Sequence, residues 1–162
     1  KIHIEPMGIY SRRVKDLKNL ANGATVGIPN DPTNGGRALL LVQEAGLIKL
    51  KPNVGLAATV FDIAQNPKRL KFRELEAAQL PRALPDVDIA VINTNFALEA
   101  NLAPLKDAIF MEGSESPYAN VLAVRSVDKN KALVKKLAQA LQSATVKKFI
   151  LDKYQGAVVP AF

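Results

Sequence analysis

Two short apolar runs constrain this chain more than any other feature, because each leads directly into polar residues and then into a helix-forming stretch. The first, Ala24-Thr-Val-Gly-Ile28, is rich in β-branched residues, ends at Pro29 and reads as a buried strand. Behind it come Asn30-Asp-Pro-Thr-Asn-Gly-Gly36, a cluster of turn and capping residues, and from Arg37 a mostly apolar helix stopped by Gly46. The second run, Val87–Ile92, is apolar around Asp88, and Asn93-Thr-Asn95 then opens a helix over Phe96–Asn101. Strand, polar loop and helix in that order make half of a βαβ unit. Strands apolar throughout belong in a parallel sheet covered on both faces. The expected fold class is α/β with a small, mostly parallel sheet.

The remaining segments are read in the same way. Asp62–Asn66 is expected to be a short helix closed by Pro67, and Lys71–Leu75 alternates as a strand does. Glu76–Leu84 is expected to be helical with an interruption at Pro81. Ala119–Val124 is expected to form a further strand after the turn Ser116-Pro-Tyr118. From Asp128 onward Leu133, Val134, Leu137, Leu141, Val146, Phe149 and Ile150 recur at helical spacing among polar residues. One or two helices therefore run to about Tyr154, with Ser143 as the break. The tail Gly156–Phe162 is apolar and is expected to dock rather than hang in water.

Composition removes several function classes. The 162 residues, 48% of them apolar, suffice for a real core. No apolar run approaches the ~20 residues that span a bilayer as a helix. Without cysteine there is no disulfide scaffold, zinc-thiolate site or thiol nucleophile, and the single histidine, His3, excludes multi-histidine metal sites. The net charge of +7 raises the question of nucleic acid. The positive residues, however, are scattered in pairs such as Arg12-Arg13 and Lys147-Lys148, with few aromatics to stack bases. A solvated basic surface is the reading adopted, with no nucleic-acid partner and no cofactor. The chain opens on Lys1 without an apolar leader, and is expected to be a processed or truncated product.

Hydrolytic chemistry finds little support. His3 and Glu5 fall on one face of a strand and can pair, which reads as a polar pair at a strand end. The carboxylate pairs Glu74/Glu76 and Asp86/Asp88 have no activating partner in the sequence, and Gly35-Gly36-Arg37 matches neither a phosphate loop nor a dinucleotide fingerprint. The loop Asn30–Arg37 is more informative. Where a loop opens a helix, backbone N–H groups and the helix dipole favour an anion, and an arginine just inside can grip a carboxylate with two prongs. The alternative is a plain capped helix start with Arg37 in solvent, and the two readings stand level on these grounds. Asn93-Thr-Asn95 lies where a buried strand ends, the place at which open α/β sheets bind ligands. Asparagine offers both donor and acceptor, as a zwitterionic amino acid requires, and also serves as a helix cap. Tyr118 and Asn120 flank the entry to the last expected strand. Together these positions suggest a small polar ligand at one rim rather than bond breaking.

Five segments in fixed order carry a resemblance: His3-Ile-Glu-Pro-Met-Gly-Ile-Tyr-Ser11, Ile28-Pro-Asn-Asp-Pro-Thr-Asn-Gly-Gly-Arg-Ala-Leu-Leu-Leu41, Leu75-Glu-Ala-Ala-Gln-Leu-Pro-Arg82, Ala90-Val-Ile-Asn-Thr-Asn95 and Ser116-Pro-Tyr-Ala-Asn120. By these the chain resembles, from end to end, the NlpA-type lipoproteins, the substrate-capturing components of bacterial methionine ABC importers. The resemblance implies a two-lobed fold of the periplasmic-binding-protein type (type II) that closes on its ligand. Members of that family are longer, and the missing part would be N-terminal, with the lipidated cysteine and most of lobe one. Residues 1–10 would then be a first crossover, 11–116 all of lobe two, and 117–162 the return crossover and closing helices of lobe one.

Carried over by motif, Arg37 would hold a methionine carboxylate, and Asn93 and Asn120 its amino or carboxylate group. Gly36, Asn95 and Tyr118 are further candidates for the pocket lining. The implied function is non-enzymatic capture of L-methionine and delivery to an ABC permease with its ATPase subunits, in the cell envelope and under a lipid anchor. D-methionine, a methionine-containing dipeptide or another hydrophobic amino acid is the alternative ligand, and an enzyme on the same two-lobed plan the alternative class. A chain lacking most of lobe one is also expected to bind free methionine poorly and to self-associate through the Leu133, Leu137, Leu141 and Phe149 stripe.

Overall fold

A computed structural model describes residues 1–113 and 116–162. Along the chain run β1 (His3–Ile4), β2 (Gly8–Tyr10), β3 (Thr25–Pro29), α1 (Pro32–Glu44), β4 (Lys49–Leu50), β5 (Ile63–Gln65), β6 (Lys71–Leu75) and α2 (Leu80–Ala83). They are followed by β7 (Ile89–Ile92), α3 (Thr94–Glu99), α4 (Pro104–Asp107), β8 (Ala108–Met111), α5 (Ala132–Leu141), α6 (Ala144–Tyr154) and β9 (Val159–Pro160). The chain divides into two compact units, Met7–Glu112 on the one hand and Lys1–Pro6 with Gly113–Phe162 on the other.

The Met7–Glu112 unit is built on a five-stranded sheet of order β6-β3-β7-β2-β8. β3 pairs in parallel with both β6 and β7, while β2 runs antiparallel to its neighbours β7 and β8. The sheet is therefore mixed, with β2 alone opposing the common direction. Every residue of β7 is buried, and Val26, Ile28, Ile89 and Val91 join Leu39, Val42 and Met7 in one apolar cluster. A second cluster gathers Tyr10, Leu80, Leu84, Val87 and Ile92. Apolar residues on both sides of the strands are the physical reason the two runs have no polar alternation.

Helix α1 begins five residues before the expected Arg37. Asp31 accepts from the backbone N–H of Asn34 as N-cap, and Pro32 occupies the first turn. The cluster read as a loop is thus the first turn of the helix, because a capping Asp before Pro is itself a start signal. The glycines inside it serve packing. A Cβ on Gly36 would stand 2.3 Å from the Leu56 carbonyl oxygen, and one on Gly35 would stand 2.9 Å from that of Pro29.

Two other expectations are corrected. Asp62–Asn66 is not a helix: a 3-10 turn ends at Asp62, and Ile63–Gln65 pairs with β4 as β5. Asp62 closes that turn by accepting from both the hydroxyl and the backbone N–H of Thr59. Ala119–Val124 is not a strand, and only Asn120 makes a bridge, to His3. Its apolar residues lack partners on a sheet, and Val121 and Val124 are exposed.

In the second unit β1 pairs antiparallel with β9, so the apolar tail docks as expected, with Ala157 and Val158 buried. Ser143 separates α5 from α6 by capping α6 at the Val146 N–H. His3 and Glu5 are paired at 3.0 Å. Leu133, Leu137 and Phe149 are 78%, 47% and 57% exposed, while Ile150 of the same stripe is buried and Leu141 half-buried. No helix among the described residues is long and apolar enough to cross a membrane.

Asp88 fastens the start of the parallel pair. Its carboxylate accepts from the Thr25 backbone N–H at 2.7 Å and from Arg13 at 3.0 Å. The Thr25 N–H, with help from the Arg13 guanidinium, holds this carboxyl below its ordinary range. A depressed carboxyl stabilises the fold at pH values above its unfolded-state pKa, and the gain is lost as pH falls through the folded-state value. Asp88→Asn is expected to lower the melting temperature at neutral pH and to flatten the loss of stability below about pH 4, as read by thermal melts across pH. Gly36→Ala should destabilise by about 2–3 kcal/mol, since backbone rather than a flexible side chain must yield. Urea unfolding of the variant measures it.

Candidate functional site

The ends of β3 and β7 set two polar segments side by side. Both strands are parallel, so Asn30–Asn34 and Asn93–Asn95 leave the sheet at the same edge. Their meeting is direct: Asn93 Nδ2 donates to Asn34 Oδ1 at 2.8 Å. Asn34 Nδ2 in turn donates to both Asp31 carboxylate oxygens, at 3.2 and 3.0 Å. Asn93 is the N-cap of α3 by position, yet its side chain makes no capping bond. Its Oδ1 is enclosed by protein and has no hydrogen-bond partner. Capping therefore does not account for this asparagine.

Arg37 follows Asn34 by three residues and so lies on the same side of α1. It is 8% exposed, which overturns the alternative that placed it in solvent. Its Nε donates to both oxygens of Glu112 at 3.2 Å, and its Nη2 donates to Glu112 Oε2 as well. Glu112, just past the end of β8, also accepts from the Met7 N–H at 3.1 Å. Arg37 thus grips a carboxylate with two prongs, but it is the carboxylate of Glu112 and not the ligand carboxylate of the expectation.

Reading the sequence did not single out Glu112. The signal was a lone acidic residue directly after the apolar run Ala108–Met111, where a charge at a strand end needs a partner.

The other expected positions fall as follows. Gly36 is packed under Leu56, and Asn95 is exposed on the first turn of α3. Tyr118 and Asn120 belong to the second unit, where Tyr118 is half-buried and Asn120 is exposed. The backbone of Asn120 is fixed by bonds from Ile2 N–H to its carbonyl and from its N–H to the His3 carbonyl, both 2.8 Å. A separate cavity of about 590 Å3 is lined by Tyr10, Arg12, Lys15, Leu84, Leu102 and Lys106, among others. It opens toward the other ends of the strands and involves none of the expected residues. Burial, with a smaller effect of Asp107, pushes the Tyr10 hydroxyl up to about 12, so it is neutral and unsuited to act as a base near pH 7.

Removing one partner of a buried ion pair leaves a stranded charge, whereas removing both can be nearly neutral. Glu112→Ala should therefore cost about 3 kcal/mol or more, and the double variant Arg37→Met/Glu112→Leu should cost less than Glu112→Ala alone. Chemical denaturation of the variants gives the comparison.

The model of the NlpA lipoprotein family matches residues 1–162. Among curated relatives, the D-methionine-binding lipoprotein MetQ of Escherichia coli K12 is 49% identical over 158 residues, which are 96% of this chain and 58% of that protein. Among solved structures, a nutrient-binding protein from Burkholderia cenocepacia bound to methionine is 56% identical with a TM-score of 0.92, covering 99% of this chain and 68% of the other. The methionine-binding protein MetQ is 47% identical with a TM-score of 0.89, over 99% of this chain and 66% of that one. The chain spans somewhat more than half the length of the curated relatives it matches. With a match over its whole length, the chain belongs to the NlpA lipoprotein family.

Proposed function

We propose that this chain is part of an extracytoplasmic solute-binding protein that captures methionine and hands it to an ABC permease. The observation that carries the reading is the pairing of a methionine-bound relative at 56% identity with a polar cluster at the carboxyl ends of β3 and β7. An amino acid needs a cation for its carboxylate and an acceptor for its ammonium. Arg37 is proposed for the first, and the unbonded Oδ1 of Asn93, directly after β7, for the second. A guanidinium has five N–H donors and can serve more than one carboxylate, so Glu112 orients the group and the ligand carboxylate shares its charge.

The word lipoprotein in the relatives' names supports a place in the cell envelope under a lipid anchor. Binding without turnover is the chemistry proposed, with an ABC permease and its ATPase subunits as partners. L-methionine is the proposed ligand, with D-methionine, a methionine dipeptide or another hydrophobic amino acid as the competing ligands.

Calorimetry on the longest natural form of the protein, with L-methionine, D-methionine, Gly-Met and unrelated amino acids, tests the reading. Saturable 1:1 binding of L-methionine is expected, and no binding of any methionine compound overturns it. Arg37→Lys should weaken binding by about tenfold or more, because an ammonium cannot reproduce the planar fork. Unchanged affinity in that variant removes Arg37 from the ligand site.

A further inference from the structure

We infer that the cavity at the opposite ends of the strands binds an organic anion with an apolar body, such as a single-chain carboxylate, its charge held by Arg12, Lys15 and Lys106. The cavity measures about 590 Å3 and is lined wholly by residues of the Met7–Glu112 unit. That is the size of sites that enclose small organic molecules. Its origin lies at the end of β2. The Tyr10 ring folds back along the strand over Gly8, where a Cβ would stand 2.8 Å from Tyr10 Cε2. The ring therefore leaves the space beyond β2 to other groups.

Two kinds of side chain border that space. Val14, Leu84, Leu102 and Ile109 converge on it from the segment after β2, the end of α2, the stretch between α3 and α4, and β8. Leu84 is buried and the other three are half-buried, so apolar area stays open to water and gains when a ligand covers it. Arg12, Lys15 and Lys106 are exposed at the same cavity, and none of their side chains has a hydrogen-bond or ion-pair partner among the described residues. Arg13 differs from its neighbour, being engaged by Asp88 and the Pro85 carbonyl. The one carboxylate in the described lining, Asp107, already accepts the Ala103 N–H. Three cations against one engaged carboxylate, over low-dielectric walls, concentrate anions at the mouth. A basic face that is merely solvated has no apolar floor, and an apolar hollow has no charge to satisfy. The two together ask for charge and apolar body in one molecule.

Calorimetry with octanoate on the longest natural form of the protein tests the site, with acetate as the charge without the body and octanamide as the body without the charge. Octanoate should bind 1:1 and about tenfold or more tighter than either control. The triple variant Arg12→Gln/Lys15→Gln/Lys106→Gln should weaken octanoate about tenfold or more, to the level of octanamide, while the melting temperature and methionine affinity stay at the parent's values. Lys106→Glu, a single exposed change, should weaken it in the same direction. Acetate binding as tightly as octanoate makes the anion adventitious, collected by a basic surface, and overturns the proposal. Octanoate binding that survives the triple variant also overturns it, since the apolar body then sits elsewhere, as on the exposed Leu133 and Phe149. No octanoate binding at all overturns it outright. Because methionine is titrated separately, failure at this cavity and failure of the proposed methionine capture are read apart.

Discussion

A guanidinium taken almost wholly out of water dictates where three elements of the Met7–Glu112 unit must end. Arg37 can be buried only if a carboxylate comes to it, and Glu112 comes from the far end of the chain segment, directly after β8. Glu112 in turn accepts the Met7 N–H just before β2, while its own N–H donates to the Met7 carbonyl at 2.9 Å. One charge thus ties a helix to the edge strand and to the strand beside it. The desolvation of such a pair is repaid only by good geometry, which makes it a device for holding positions rather than a large source of stability.

The same region shows how far the sequence could be read and where reading stopped. β3, β6, β7 and the helix pair broken at Ser143 were legible, because burial on both faces or at helical spacing leaves a direct trace in residue type. The first turn of α1 was not, since Asp, Pro, Thr, Asn and Gly are turn formers and helix starters alike. The Leu56 carbonyl, twenty residues away in sequence, explains Gly36 inside the helix, and the Pro29 carbonyl explains Gly35. β2, β4 and β5 are too short for any period to show. Ala119–Val124 has the composition of a strand but no sheet edge to receive it, and composition carries no information about partners.

For the candidate site, the positions at strand ends were legible by topology: a residue directly after a buried parallel strand stands at the sheet's carboxyl edge. What could not be read was polarity. Whether Arg37 faced water, and which end of the Asn93 amide faced inward, depended on Glu112 and on Asp31, each reached through contacts the linear order does not reveal. The family resemblance pointed to the same residues by motif. It placed Arg37 against a ligand carboxylate without indicating that the protein supplies a carboxylate of its own.

The position of β2 has a consequence for how the chain comes into being. Its three residues sit between β7 and β8, with Ile9 opposite Val91 on one side and Phe110 on the other. Neither neighbour exists until some eighty to a hundred further residues have left the ribosome, which takes roughly 5–20 s. Throughout that interval β2 is an apolar strand with two open edges, the kind of segment that pairs with whatever edge it meets first. β3, α1 and β6 lie within some fifty residues of one another and can begin to assemble earlier. The sheet is then finished by placing β2 between β7 and the edge strand β8, a late and non-local step. The order of synthesis and the order of assembly run in opposite senses for this strand, which makes the segment around β2 the one most in need of protection until β7 and β8 are made.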